Sequence, residues 1–82
     1  MNVNRTVLSN GTIRYTNKNG LPHRDGDKPA VVYADGSLEW HKNGKLHRDG
    51  DKPAVVGANG DLIWYKEGVR IVTGKQIGRA HV

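Results

Sequence analysis

"HRDGDKPAVV" occupies residues 23–32, and the same ten letters, without one change, occupy residues 47–56. A segment that returns intact after 24 residues marks stacked supersecondary units rather than one irregular fold. Extended outward, the period defines three units. The first, residues 5–29, carries one extra residue; the second is residues 30–53; the third, residues 54–76, is degenerate.

Each unit has the grammar of a β-hairpin. "AVVYA", residues 30–34, is β-branched and aromatic, and Asp35-Gly36 then reads as a type I′ turn. Asn10-Gly11 and Asn59-Gly60 stand at the same place in their units. After the turn "SLEWHK" alternates, with Leu38 and Trp40 on one side and Glu39 and His41 on the other. Ile13 with Tyr15, and Leu62 with Trp64, are the matching apolar pairs. Trp40 and Trp64 are expected in the core, with each indole N–H meeting an acceptor. Asn19-Gly20, Asn43-Gly44 and Glu67-Gly68 make the next turn. The period is 2 throughout, with no helical spacing. The expectation is an all-β protein: an antiparallel meander of three β-hairpin repeats of ~24 residues in a single curved sheet, one domain over residues 1–76.

The phrase W-x-x-x-G-x-x-H-R-x-x-x-x-P-A is present as Trp40, Gly44, His47, Arg48, Pro53 and Ala54. The first unit has Tyr15, Gly20, His23, Arg24, Pro29 and Ala30, and the third keeps Trp64 and Gly68 but has Ile71-Val72 for His-Arg. This phrase resembles small repeat proteins encoded by bacteriophages and large DNA viruses, themselves distantly similar to MORN repeats. The resemblance implies stacked hairpins in a curved sheet, and a viral accessory protein working in the cytoplasm of a host bacterial cell.

Composition narrows the classes. Eighty-two residues allow one small domain, and 35% hydrophobic content without Phe argues against a thick two-layer core. Eleven glycines and three prolines indicate tight turns. The absence of cysteine excludes a disulfide framework and a thiolate metal site, and suits a reducing cytoplasm. No apolar run has the length of a membrane span, so no membrane partner is expected, and the N-terminus lacks a signal-peptide core. The charge of +5 favours anionic partners or simply solubility. "IGRAHV", residues 77–82, is what a common short-read sequencing adapter encodes up to its stop codon. It is read as adapter read-through in a metagenomic sequence and set aside from fold reasoning.

The decapeptide admits three chemistries. His23, Asp25 and Asp27, or His47, Asp49 and Asp51, offer too few ligands at the wrong spacing for calcium, so no metal and no cofactor is expected. As an anion site, His23, Arg24 and Lys28, or His47, Arg48 and Lys52, surround a glycine, while Tyr33, Trp40 or His41 could stack on the base of a captured nucleotide. As a joint, Asp25 and Asp49 form turns, the following Pro holds Lys28 and Lys52 extended, and His and Arg cap carbonyls or pair with Asp residues between units. The joint is favoured, because every copy faces the same neighbouring geometry.

Recognition then falls to positions where the copies differ. The columns are Arg14, Glu39, Ile63; Thr16, His41, Tyr65; and Leu8, Tyr33, Gly57, growing more apolar toward the third unit, where Ile71 joins them. A missing next unit, self-association into a homo-oligomer and a partner-binding patch all account for that trend. As a patch, the partner-binding residues are Tyr33, Glu39, His41, Ile63, Tyr65 and Ile71. Nothing suggests catalysis: the only serines, Ser9 and Ser37, flank turns, and Glu39 and Glu67 are the only glutamates. The leading expectation is a non-catalytic, phage-encoded inhibitor of a bacterial defence system. It would occlude a host protein that has an acidic or nucleic-acid-binding surface. Nucleotide capture and a structural module of a longer repeat array are the alternatives.

Overall fold

Valine pairs and short alternating runs become strands wherever the sequence leaves turns between them. The computed structural model describes residues 3–71, so residues 77–82, and the end of the third unit, lie outside it. The strands are β1 (Asn4–Val7), β2 (Ile13–Thr16), β3 (Val31–Val32), β4 (Leu38–Glu39), β5 (His41–Lys42), β6 (Lys45–Leu46), β7 (Val55–Val56), β8 (Leu62–Lys66) and β9 (Val69–Ile71). Among the described residues there is no helix. The fold is all-β and antiparallel: a seven-stranded sheet in the order β1-β2-β3-β4-β7-β8-β9, with β5 and β6 paired apart from it, and no closure into a barrel.

Register places two rows of side chains across this sheet. One runs Val7, Ile13, Val32, Leu38, Val56, Leu62 through successive strand pairs. The other, on the opposite face, runs Thr6, Arg14, Val31, Glu39, Val55, Ile63. The first row is wholly apolar, yet none of it is buried, and Val7 and Leu62 are 55% and 50% exposed. Among the described residues the buried apolar side chains are Ala30, Val31, Trp40 and Ala54, joined by buried Thr12, Asn17, His23 and His47. An interior this small and this polar is held as much by hydrogen bonds as by burial.

The strand is interrupted at Trp40, which divides β4 from β5. Ala30 N–H donates to Glu39 O (2.8 Å), the residue already opposite Val31, and Ala54 N–H donates likewise to Ile63 O (2.9 Å), the residue opposite Val55. The ladder slips by one residue as at a β-bulge, at two alanines that have no exposed surface at all. Trp40, between β4 and β5, is buried, while Leu38 is half-exposed.

The turns also differ from expectation. At Ser9-Asn10-Gly11 and its two counterparts only the glycine has a positive φ (Gly11 +93°, Gly36 +97°, Gly60 +96°). Gly11 N–H donates to Leu8 O and Leu8 N–H to Thr12 O, so the loop has three residues: a type I turn closed by a glycine bulge. The side chains of Asn10, Asp35 and Asn59 accept from the N–H two residues on, at 2.9, 2.9 and 3.2 Å. The true type I′ turns are Asn43-Gly44 and Glu67-Gly68, where both residues have positive φ. They connect directly paired residues, Lys42 with Lys45 and Lys66 with Val69.

Candidate functional site

The two decapeptides form loops of matching shape between β2 and β3 and between β6 and β7. Gly26 and Asp27 have φ of +78° and +57°; Gly50 and Asp51 have +80° and +59°. The His and Arg of each loop, and the Lys of the second, go to different partners.

Each histidine ties its loop to the turn that follows in the chain. His23 Nδ1 accepts Asn43 N–H at 2.9 Å, and His47 Nδ1 accepts Glu67 N–H at 3.0 Å. An accepting Nδ1 places the ring proton on Nε2, which donates to Asp25 at 3.2 Å and to Asp49 at 2.8 Å. The second N–H of each turn is also taken: Gly44 N–H by Pro22 O and Gly68 N–H by Leu46 O, both at 2.8 Å. Asp49 is further held by Lys42 Nζ at 3.3 Å, and His47 first, then Lys42, lower its pKa.

Each arginine lies flat on an aromatic ring. Arg24 stands 3.8 Å above Tyr15 and Arg48 3.7 Å above Trp40. Both brace the loop from within, Arg24 Nη1 donating to Pro29 O at 3.3 Å and Arg48 Nη1 to Pro53 O at 3.0 Å. Arg48 also grips the other decapeptide: Nε donates to Asp27 Oδ1 at 2.8 Å and Nη2 to Oδ2 at 3.4 Å. Lys52 Nζ adds a contact to the same Oδ2 at 2.9 Å. The Arg48 hydrogen bond, then that of Lys52, pulls the Asp27 pKa from 3.8 to about 2.

A half-open cleft of about 310 Å³ lies between the loops, lined by Arg24, Asp27, Trp40, Arg48 and Lys52 among others. Of the sequence-predicted anion binders, His23, His47, Arg48 and Lys52 thus have protein partners, while Arg24 and Lys28 meet no carboxylate among the described residues. No group of three His, Asp or Glu side chains that could hold a metal ion is found among the described residues.

The predicted partner-binding residues separate into two sets. Among Tyr33, Glu39 and His41, Glu39 lies between the other two: its charge acts on Tyr33, and His41 Nε2 lies 2.9 Å from Glu39 Oε1. Burial first, then the Glu39 charge, raises the Tyr33 pKa. His41 is mostly covered, its side chain 11% exposed, and its Nδ1 is buried without a partner among the described residues. Ile63, Tyr65 and Ile71 are half-buried, with Ile71 opposite Trp64 and Tyr65 opposite Arg70. The tryptophans diverge as well. Trp64 Nε1 donates to Asp51 O at 3.2 Å, whereas Trp40 Nε1 is buried with no acceptor among the described residues.

Two residues escaped the sequence reading. Thr12 Oγ1 accepts Ala34 N–H at 3.3 Å, and Ser37 Oγ accepts Ala58 N–H at 3.0 Å, each linking a first turn to the next one along the sheet. The signal was a hydroxyl directly after each of two Asx-Gly pairs. Comparisons with family models, curated proteins and solved structures found no match.

Proposed function

We propose that the chain is a non-catalytic binding protein that acts by covering a surface of a partner protein. In this reading it is built from three hairpin repeats, residues 5–29, 30–53 and 54–76, in a MORN-like curved sheet. The carrying observation is that Asp27 is held by both Arg48 and Lys52. An anion entering the second decapeptide must displace that carboxylate, so these residues act as a joint and recognition passes to the sheet. There the row Val7, Ile13, Val32, Leu38, Val56, Leu62 offers an unbroken apolar track, none of it buried. Apolar surface of this extent, rimmed by polar turns, suits a protein partner.

The phage-like motif makes a host protein the first partner to test, and a component of a bacterial defence system the first among those. The charge of +5 favours one with an acidic face, including a face that normally receives nucleic acid. The test is retention of a defined protein from bacterial host extract, at fixed stoichiometry, by the intact chain and by variants. Leu38→Glu should abolish retention while Arg48→Gln keeps it; the reverse pattern overturns the reading.

A further inference from the structure

The second decapeptide shows what its Arg–Lys pair is built to hold. Arg48 is laid on an aromatic ring, fixed by Nη1 to a proline carbonyl, and left with Nε and Nη2 directed at Asp27, while Lys52 closes on the same carboxylate. The first decapeptide assembles the same parts. Arg24 is laid on Tyr15 and fixed by Nη1 to Pro29 O, with Lys28 four residues on and the loop turning through the same φ angles. Yet among the described residues Arg24 is in no ion pair, and neither its Nε nor its Nη2, nor the Lys28 ammonium, makes a hydrogen bond. Aligned on Asn10-Gly11 and Asp35-Gly36, the sequence has the uncharged Asn2 where Asp27 stands, so the chain offers no equivalent acid for this pair.

We propose that Arg24 and Lys28 form a carboxylate-binding site, which takes an Asp or Glu side chain of an acidic polypeptide segment as Arg48 and Lys52 take Asp27. A guanidinium held flat by a ring has lost most of its rotational freedom before it binds, and its fork matches a planar carboxylate in two parallel hydrogen bonds. Asp25 beside it, 51% exposed, sets a negative charge near the pocket mouth and disfavours a dianion over a monoanion. The site lies at the opposite ends of the strands from the turns beside the apolar row, and it stands whether or not that row is the partner surface.

The experiment is an NMR titration of the full, ¹⁵N-labelled chain that follows the Nε–Hε resonances of Arg24 and Arg48 together. The probes are acetyl-Gly-Asp-Gly-Asp-Gly-amide, the same peptide with Asn for Asp, and inorganic phosphate. Binding by the Asp peptide shifts Arg24 saturably, with the Asn peptide weaker by about tenfold, one charge-assisted contact's worth. Arg48 stays in place, already occupied by Asp27, and its unchanged resonance reports that each variant is folded. Read on the backbone amides of residues 24–28, the saturable shift is abolished in Arg24→Lys and weakened in Lys28→Ala. A shift of Arg24 on raising the protein concentration alone identifies a second copy as the source of the carboxylate. Equal response of the two arginines, equal binding of the two peptides, or no saturable shift overturns the proposal. Phosphate binding tighter than the Asp peptide overturns the carboxylate assignment in favour of a general anion site.

Discussion

Replacing His23 with leucine isolates the bond that ties the first decapeptide to the turn at Asn43. His23 is 6% exposed, and its Nδ1 is the acceptor for Asn43 N–H. Leucine fills a similar volume but accepts nothing, so the turn loses a partner for a part-buried donor. An orphaned donor of this kind costs about 1–3 kcal/mol. The contact on the other side of the ring adds little, because Asp25 is half-exposed and its carboxylate returns to water. At this chain size each kcal/mol moves Tm by about 4–8 °C, so His23→Leu should lower Tm by roughly 4–24 °C. His47→Leu should fall in the same range, since Glu67 N–H depends on it in the same way. Urea denaturation with a thermal melt followed by circular dichroism measures both, and Asp25→Ala serves as the comparison. His23→Leu within about 0.5 kcal/mol of the parent, a value typical of surface substitutions, would refute the reasoning. So would Asp25→Ala costing as much as His23→Leu.

Three further outcomes are expected. Asp27 has a folded pKa below its ordinary 3.8, so its contribution to stability is complete above that value and lost as the pH falls toward about 2; melts from pH 2 to 6 should be flatter in Asp27→Asn, and the difference should shrink in high salt. Arg24→Lys should cost about 1 kcal/mol through loss of its stack on Tyr15, and Arg48→Lys should cost more because the fork to Asp27 goes too, both read by urea denaturation. Ala54→Leu should cost about 1–3 kcal/mol, because the slipped ladder leaves that side chain no exposed surface and no room to grow, and a smaller urea midpoint shift than that of Arg24→Lys would contradict it.

Much of the fold was legible because period-2 alternation and Asx-Gly pairs are local signals. The strands around Ile13, Leu38 and Leu62 and the turns between them follow from such signals. Turn type was less legible. Asn10-Gly11 and Asn43-Gly44 are the same dipeptide, and what separates them is whether two or three residues bridge the pair, which the register of the flanking strands decides. The slip at Ala30 and Ala54 was hidden for a similar reason: an alanine before two valines reads as an ordinary strand start until its neighbour strand is present. In the decapeptide, residue types suggested carbonyl caps or inter-unit aspartate pairs for His and Arg, whereas each His accepts a backbone N–H and meets the Asp of its own loop. They did not disclose that Arg48 would reach back to Asp27 while Asp49 went to His47 and Lys42, since that choice depends on distances across the sheet. Glu39 and His41 looked like free recognition positions; in space they pair with each other.

The contact between the loops joins unlike residues of like segments: Arg48 and Lys52 of one copy, Asp27 of the other. Both halves of the lock are therefore written in the same ten codons. An in-frame duplication of one period would carry a new key and a new keyhole together, fitting its neighbours on either side with no compensating substitution. Length in such a chain is open to change by a single recombination event, whereas a point mutation at Asp27 or Arg48 breaks a fit that only a second mutation in another copy could restore. Selection acting through that asymmetry favours copies that stay identical, as residues 23–32 and 47–56 have.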